Sequence, residues 1–347
     1  MDLSVVIVTW NTRELVEQCV ESLLSELDTA KARFGVAAEV IVVDNGSIDG
    51  TAALLAKRFP AVTLIRLEEN RGFAAGNNPA FRHARGRAIL LLNSDCFMSA
   101  ASISRCIEVL RKRTDAGAVG PQLRYPDGRL QRSAHEFPGL YTESVPRILR
   151  DWISTGFALW SSSRVNGPVS VPALRGAALM VRREVIETVG PLCEDYFFFL
   201  EETDWCWRMR QANWVVLQVA DATAVHQLGQ SSKRVLPLRT RIEFHRSLYC
   251  FVALHKGPLE ARAVCVIRVL RALGTAGLVL PAALFSGRYR QKLVSRLGLL
   301  GWHLRGRPAE GGLVGAGPGR PRLDCTLQKG KAPGSVRSRQ EDNPCQS

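Results

Sequence analysis

The segment 197–208 places three carboxylates, Glu201, Glu202 and Asp204, between an aromatic run and Trp205. A solvated helix would spread its acids among Lys and Arg, whereas these acids adjoin Phe and Trp. Poor solvation raises the pKa of a carboxyl group and makes it a usable proton acceptor. Glu201 and Asp204 are three residues apart, so we expect them to share one helical face, with Glu202 pointing elsewhere. The segment predicts a general base among these acids.

Two further polar groups could complete a site for group transfer. Asp95 ends the tripeptide Asn93-Ser94-Asp95, directly after an apolar run. A carboxylate there can hold Mg²⁺ or Mn²⁺ and share it with a diphosphate. His226 precedes Gly229 and Ser231, and imidazole suits Mn²⁺ better than Mg²⁺. A chance tripeptide and a structural histidine are the alternatives.

Strand-like and helix-like segments alternate before these residues. Apolar runs of strand length are 3–9, 39–43, 62–66 and 88–92, and helical spacing covers 15–27 and 48–59, with a third helix opened by Pro79. Continuous apolar runs are typical of strands buried on both faces of a parallel sheet. The alternation predicts right-handed crossovers and a doubly wound α/β sheet.

Polar residues follow these strands at their carboxyl ends, where such sheets bind ligands. Asp44, the Gly- and Asn-rich segment 70–78 and Asp95 all lie at predicted strand ends. Asp44 could accept hydrogen bonds from a base or a ribose, and the glycines permit close backbone approach. Each motif alone is also typical of a turn or a mobile loop. Their convergence predicts a nucleotide site, although no Gly-x-Gly-x-x-Gly and no Walker lysine is present.

The rest of the chain is less regular. A hairpin turn is predicted at 125–129, an irregular region over 137–172, a strand over 176–181 and a helix over 238–256. The segment 263–285 is apolar, but its uncharged part, 272–285, has only about 14 residues. A membrane span needs ~20, so we expect an interfacial or core helix.

The net charge of +14 favours anionic partners: nucleic acid, anionic lipid or phosphorylated small molecules. No basic stripe with aromatics and no helix-turn-helix or zinc-finger spacing appears, which argues against nucleic acid. The positive charge could also serve only to keep the protein surface solvated, without any anionic partner. Nine cysteines without a Cys-x-x-Cys pair favour reduced thiols in a cytosol. The chain begins without the pattern of a signal peptide.

Taken together, these motifs resemble the family-2 glycosyltransferases of the GT-A fold, and within them the bacterial rhamnosyltransferase-like branch. The matching segments are 5–11, 42–51, 70–78, 91–95, 120–138, 176–183, 196–208 and 226–231. Their order and spacing carry the resemblance, which spans roughly residues 3–232.

The resemblance implies inverting, metal-dependent transfer of a sugar from a nucleotide-diphosphate donor, with dTDP-L-rhamnose as the first expectation and UDP-sugars next. It implies a cell-envelope glycan or a lipid-linked acceptor. The residues expected to bind the nucleotide sugar are Thr9, Asn11, Asp44, Arg71, Gly72, Gly76, Asn78 and Ser94. Asp95 and His226 would hold Mn²⁺ or Mg²⁺. Glu202 stands where the family has the base Asp, so Asp204 or Glu201 could take that role instead.

The expected organisation is a glycosyltransferase domain over 1–232, a helical extension over 233–305 and a disordered basic tail over 306–347. Residues 1–120 would bind the donor, and 121–232 would bind the acceptor and carry catalysis. We expect a cytoplasmic protein in peripheral contact with the inner face of the membrane. One alternative is a sugar-phosphate nucleotidyltransferase, but 6–12 lacks the Gly-rich loop with Arg and Lys that it needs. The other is an inactive sugar-binding scaffold.

Overall fold

The computed structural model describes residues 1–146, 149–150, 167–227, 237–308 and 311–313. The strands are β1 (Leu3–Thr9), β2 (Ala38–Asp44), β3 (Thr63–Arg66), β4 (Ala88–Leu92), β5 (Cys96–Met98), β6 (Ala116–Arg124), β7 (Ala134–His135), β8 (Pro168–Ser170), β9 (Ala173–Leu174), β10 (Ala178–Arg182) and β11 (Val215–His226). The helices are α1 (Arg13–Phe34), α2 (Thr51–Arg58), α3 (Gly72–Phe81), α4 (Ala100–Lys112), α5 (Leu140–Ser144), α6 (Arg183–Thr188), α7 (Glu201–Gln211), α8 (Pro237–Lys256), α9 (Pro258–Phe285) and α10 (Gly287–Leu304).

The main sheet has the strand order β3-β2-β1-β4-β10-β6-β11-β5, and β8 pairs with β11 outside this path. Strands β1 to β4 are parallel, and α1, α2 and α3 connect them. β10 runs antiparallel between β4 and β6, while β11 is parallel to β6. A separate two-stranded sheet pairs β7 with β9. The predicted mostly parallel α/β sheet is confirmed.

Strands β1, β2 and β4 are largely buried on both faces, as their continuous apolar sequences predict, whereas β3 is partly exposed because it lies at the edge of the sheet. In β1, Val5 and Ile7 pack in the cluster that includes α1, α2 and α4. The intervening Val6 packs on the opposite face with residues of α3, α6 and α7. Alternate side chains of one strand therefore contribute to two hydrophobic layers, which fixes the register of the strand.

The segment 70–78 differs from the prediction, because most of it is helical. Helix α3 begins at Gly72, and Pro79 lies inside it instead of opening it. Small residues explain the difference: a Cβ added at Gly76 would lie 2.9 Å from Val8 Cγ1, and Ala74 and Ala75 are buried. Residues that are typical of a loop are here the ones that let a helix lie directly on the sheet.

The predicted helical extension is confirmed where it is described, since α8, α9 and α10 follow one another and pack together. A third buried cluster joins them to the segment before α7, through Tyr196 and Leu200 against Phe251 and Trp302. The described residues do not include 228–236, which precede α8, nor most of 151–172, nor most of the predicted tail.

Helix α9 corrects the length argument made from the sequence. It is continuous from Pro258 to Phe285, 28 residues, and contains an 18-residue window of mean hydropathy 1.9. Within the described part of the chain it is the one helix long and apolar enough to cross a membrane by length and composition. Only 17% of that window is buried, so the helix does not form part of a core.

Candidate active site

Thr9, Asn11 and Asp44, predicted from separate motifs, meet at the carboxyl ends of β1 and β2. Thr9 and Asp44 are paired in register across the two strands, and both are buried. The Asn45 N–H donates to the Thr9 carbonyl at 2.9 Å, and the Ser47 N–H donates to Asp44 Oδ1 at 3.2 Å. Parallel strands end at the same edge of a sheet, which explains why the three residues converge.

Asn11 is held in a left-handed backbone conformation, with φ of 50°. Its N–H donates to Ser47 Oγ, and its side-chain oxygen accepts from the Ile48 N–H, both at 2.9 Å. The neighbouring Trp10 is 43% exposed. The turn after β1 is therefore fixed against the loop after β2, with an aromatic ring open to solvent beside it.

Asn45, which the sequence analysis did not single out, organises the start of α3. Its Nδ2 donates to Asn70 Oδ1 and to the Gly72 carbonyl, both at 3.0 Å, and its Oδ1 accepts from the Arg71 N–H at 2.9 Å. An Asn directly after a strand that also ends in Asp is the sequence signal that could have identified it.

Gly72 couples α3 to the segment that precedes the acidic helix. Its φ is 84°, and an added Cβ would lie 2.2 Å from the Phe197 carbonyl oxygen. The next N–H, of Phe73, donates to the same carbonyl at 2.8 Å. Glycine is required here both by backbone conformation and by space.

The structure places Asn78 and Arg71 toward a different segment from Thr9 and Asp44. Asn78 Nδ2 donates to the Leu192 carbonyl and to Glu194 Oε1, both at 2.9 Å, and Asn78 Oδ1 accepts from the Leu192 N–H. Arg71 lies 3.8 Å from Glu194 in an ion pair. Asn78 therefore fixes the loop after α6 to α3.

Asp95 and His226 are brought together as predicted, although 131 residues separate them. His226 ends β11, which pairs with β5, and its Nε2 lies 3.3 Å from Asp95 Oδ1. The Gln227 N–H donates to the Asp95 carbonyl at 2.9 Å. Both side chains are buried, and Ser94 beside them is buried too.

Gln131 orients the imidazole of His226. Gln131 Oε1 lies 2.7 Å from His226 Nδ1, and Gln131 Nε2 lies 3.4 Å from the His226 carbonyl. With the amide in this orientation, Nδ1 donates to Gln131 Oε1, and Nε2 is the ring nitrogen that faces Asp95. Metal-ligating histidines are commonly fixed by such an acceptor on the other ring nitrogen.

The donor atoms suit a hard or borderline divalent cation. Asp95 Oδ1 and His226 Nε2 face each other at 3.3 Å, and carboxylate oxygen and imidazole nitrogen both ligate such cations. Within the described residues, no group of three or more His, Cys, Asp or Glu gathers as a metal site. Two protein ligands are characteristic of Mg²⁺ and Mn²⁺ sites that are completed by phosphate and water.

The three acids of α7 separate in a way that the sequence pattern did not predict. Phe199 and Leu200 both have positive φ, of 74° and 66°, so α7 begins abruptly at Glu201. Glu201 and Glu202 lie at this open end and line a cavity. Asp204 lies about one turn further along α7 and does not line this cavity.

Asp204 is buried in an ion-pair arrangement instead. Arg208 Nε donates to Asp204 Oδ2 at 2.8 Å, and His255 Nε2 lies 2.7 Å from Asp204 Oδ1. His255 belongs to α8, so this carboxylate joins the acidic helix to the C-terminal helices. Both oxygens are already engaged, which leaves Asp204 a structural role.

The cavity beside Glu201 and Glu202 has a volume of about 480 Å³. Asn93 and His226 line it near the predicted metal site, and Gly176 lines it beside Glu202. A single space therefore connects the predicted metal ligand with the predicted base. This volume is in the range of small-molecule sites.

Ionisable residues not anticipated from the sequence also line the cavity. These are Arg132, His135, Glu136, Glu143, Arg150 and Arg175. Their signal was a concentration of charge in a Pro- and Gly-containing region, but charge alone does not say which residues a fold brings together.

Burial raises the pKa of the Glu201 carboxyl well above its usual range, and the charge of Glu202 raises it further. Burial also raises the pKa of Glu202, while backbone N–H groups, including that of Gly176, and the Arg175 guanidinium oppose this rise. Of the two acids, Glu202 is therefore the one whose ionised form the surroundings support.

His135 is kept neutral at the same wall. Burial, followed by the charges of Arg175 and Arg132, lowers the pKa of His135 to about 4. Its Nε2 lies 2.8 Å from Thr203 Oγ1. The ring thus contributes a polar but uncharged surface beside Glu202.

The chain is similar to characterised glycosyltransferases in sequence. It is 28% identical over 291 residues to an N-acetylglucosaminyl-diphospho-decaprenol L-rhamnosyltransferase of Mycobacterium tuberculosis, which covers 79% of this chain and 93% of the relative. It is 22% identical to the low-salt glycan biosynthesis hexosyltransferase Agl10 of Haloferax volcanii, over 65% of this chain and 67% of that one.

Solved structures share the fold. A mannosyltransferase of Pyrobaculum calidifontis, in complex with GDP-Man and Mn²⁺, superposes with a TM-score of 0.50 at 19% identity, over 87% of this chain and 86% of that one. The structure of GalNAc-T7 with UDP, GalNAc and Mn²⁺ gives a TM-score of 0.54 at 14% identity, over 88% and 56%. These neighbours confirm the predicted GT-A-like fold.

The family model for Glycosyl transferase family 2 matches residues 4–189, more than half of the chain. That range contains the strand edge with Thr9 and Asp44, as well as Asp95. The match to a glycosyltransferase family excludes the alternative of a sugar-phosphate nucleotidyltransferase. The chain belongs to Glycosyl transferase family 2, and it transfers a sugar from a nucleotide donor.

Proposed function

We propose that this protein is an inverting, metal-dependent hexosyltransferase that moves L-rhamnose from dTDP-rhamnose to a lipid-linked or cell-envelope glycan. The similarity to a mycobacterial L-rhamnosyltransferase over most of both chains supports the sugar and the type of acceptor. The observation that carries the reaction type is the shared cavity, which Glu202 and His226 both line.

Glu202 is the general base in this proposal. It accepts the proton of the acceptor hydroxyl while the oxygen attacks the anomeric carbon on the face opposite the leaving nucleoside diphosphate. The new C–O bond forms as the old one breaks, so a single displacement inverts the configuration. Glu201 is more deeply buried, and its raised pKa disfavours the ionised form that a base requires.

Asp95 and His226 would hold the divalent cation, and their buried, preoriented donor atoms support this assignment. A cation bound there would supply positive charge to the β-phosphate of the leaving nucleotide. Thr9, Asn11 and Asp44 would position the nucleoside at the edge of β1 and β2. The mannosyltransferase and GalNAc-T7 structures both contain Mn²⁺, which supports Mn²⁺ as the first metal to test.

The acceptor would enter on the side of the cavity that β7, α5 and α7 form. Arg132 and Arg175 line this side together with Glu136 and Glu143. The mixed charge suits a sugar that carries a phosphate group, because guanidinium groups bind phosphate oxygens and carboxylates bind sugar hydroxyls. The named acceptor class of the mycobacterial relative, a diphospho-decaprenol, has this chemistry.

A panel of nucleotide sugars tests the proposal. dTDP-rhamnose, several UDP-sugars and GDP-mannose are incubated with the protein and Mn²⁺ or Mg²⁺, and release of nucleoside diphosphate is followed. We expect slow, metal-dependent hydrolysis of dTDP-rhamnose that is lost in Asp95→Ala. Hydrolysis of a different donor would overturn the sugar assignment, and metal-independent hydrolysis would overturn the metal assignment. Absence of both donor binding and hydrolysis would support the inactive scaffold.

A further inference from the structure

We propose that the outer faces of α9 and α10 form a surface that lies in the plane of a lipid bilayer, next to the acceptor side of the cavity. This inference rests on the helices themselves and does not depend on the donor or the reaction. We call the exposed apolar residues of α9 and α10 the outer surface.

In α9 the small side chains face inward and the large apolar side chains face outward, the opposite of a helix on the surface of a soluble protein. The residues that face inward are mainly small: Val264, Ala272, Ala276 and Ala283 are buried. The large residues face outward and recur at intervals of three, four or seven: Leu259, Val266, Leu270, Leu273, Leu280 and Leu284 are all at least half exposed. A helix in water gains stability by burying leucine, so this pattern requires an apolar environment outside the described protein.

The outer surface continues beyond this row of outward-facing residues on α9 and extends onto α10. Leu278 and Phe285, on an adjacent stripe of α9, are 82% and 90% exposed. On α10, Val294, Leu297 and Leu304 are exposed, while Leu299, Leu300 and Trp302 face inward. The apolar surface is therefore wider than the two-position seam of a coiled coil, which favours a lipid surface over a helix of a second copy.

Charge favours the same partner. Residues 237–304 contain eleven Lys and Arg against two Glu. Lipid headgroups in an anionic leaflet attract such a segment, whereas a second copy with the same excess would repel it. Arg262 on α9, and Arg288 and Lys292 on α10, are among the exposed cations of these helices.

The same cations indicate that the helices lie on the bilayer and do not span it. α10 packs back along α9, since Arg290 donates to the Ala283 and Leu284 carbonyls and Arg296 to Thr275 Oγ1. If α9 crossed the membrane, α10 would have to return through it with Lys292 and Arg296 in the hydrocarbon. Burying charges there is costly, whereas at the interface they reach the headgroups.

Helix α5 connects the outer surface to the cavity. The N–H of Leu140, the first residue of α5, donates to Glu260 Oε1 of α9 at 2.7 Å. Arg268 Nη2 of α9 donates to Glu143 Oε1 of α5 at 2.8 Å. Glu143 lines the cavity, and Tyr141 beside it is 53% exposed. The reacting group of a lipid-anchored substrate could therefore reach the cavity while the lipid anchor stays in the bilayer.

Vesicle co-sedimentation of the full chain tests the proposal. The vesicles are phosphatidylcholine alone, or phosphatidylcholine with phosphatidylglycerol. We expect binding to the anionic vesicles, weakened about tenfold or more in the double variant Leu273→Ser, Leu280→Ser because two inserted side chains are lost. We expect a loss of similar size in Arg288→Glu, Lys292→Glu. Phe34→Ser, an exposed apolar residue at the end of α1, is the matched control and should bind as the unaltered protein does.

Light scattering without lipid and thermal unfolding accompany each variant. Equal binding by the leucine variant and the unaltered protein would overturn the proposal. A dimer that the leucine substitutions convert to a monomer, with no vesicle binding, would assign the outer surface to a second copy instead. Absence of vesicle binding by a folded monomer would also overturn it, by showing that another part of the chain covers these helices.

Discussion

Gln131 Oε1 lies 2.7 Å from His226 Nδ1, and His226 Nε2 in turn lies 3.3 Å from Asp95 Oδ1. All three side chains are buried. The amide of Gln131 therefore sets which imidazole nitrogen faces the carboxylate, and it does so without touching the predicted metal position itself.

Replacing Gln131 should weaken metal binding without removing a ligand. In Gln131→Met, which keeps the length of the side chain, we expect Mn²⁺ affinity in the presence of nucleoside diphosphate to fall about 10- to 100-fold. Gln131→Glu keeps an acceptor and is the matched control, with a smaller loss. Calorimetric titration measures both. Unchanged affinity in the Met variant would show that His226 is oriented by other contacts.

Asp204 should matter for stability more than for chemistry. Asp204→Ala leaves Arg208 and His255 without their buried partner, which typically costs about 3–5 kcal/mol. Asp204→Asn keeps a hydrogen-bonding oxygen and should lose less. Urea unfolding gives the free energies, and donor binding shows whether the folded fraction is intact. A fully stable but inactive Asp204→Asn would return the role of base to Asp204.

Gly72→Ala should be more damaging than a substitution that introduces backbone strain alone. The added Cβ would meet the Phe197 carbonyl oxygen at 2.2 Å, at a φ of 84°. Gly128→Ala is the matched control, because Gly128 has a φ of 82° with nothing within 4 Å. We expect the control to lose about 1–2 kcal/mol from the left-handed conformation, and Gly72→Ala to lose more. Equal losses in urea unfolding would show that Phe197 moves away at little cost.

His135 should make the protein less stable in mild acid. Burial and the charges of Arg175 and Arg132 lower its pKa from 6.5 to about 4. Between these pH values His135 is therefore protonated in the unfolded chain and neutral in the folded chain. Its contribution is constant above pH 6.5, falls as the pH drops below 6.5 and levels off near pH 4. In His135→Gln the decline over this window should be smaller. Parallel stability curves for the two proteins would contradict the assigned pKa.

The sequence predicted the parallel half of the sheet well, because β1 to β4 are continuous apolar runs and their pattern does not depend on distant contacts. It predicted α3 poorly, since the Gly and Ala residues that suggest a loop are needed for close packing on Val8 and Phe197. The extent of α9 was also missed. Arg268 and Arg271 interrupt its apolar sequence, which made the helix look shorter. Both lie within 4 Å of Glu143 on α5, a contact that the sequence does not reveal.

The site was predictable where strands deliver the residues to one edge. Thr9, Asn11 and Asp44 meet because parallel strands end together, and Asp95 meets His226 because β5 pairs with β11. Spacing along α7 could not separate Glu202 from Asp204. That difference depends on the positive φ of Leu200 and on His255, which is 51 residues further along the chain. The predicted domain boundaries and the cytoplasmic location stay predictions.

Transfer by Glu202→Gln tests the central assignment most directly. Purified protein, dTDP-rhamnose, Mn²⁺ and an N-acetylglucosaminyl-diphospho-polyprenol acceptor are combined, and donor affinity is measured by calorimetry alongside turnover. We expect unchanged donor affinity and a fall in turnover of about 10²-fold or more, as loss of a general base produces. In the unaltered protein, turnover should decline as the pH falls through the raised pKa of Glu202. Full activity of Glu202→Gln would contradict the account.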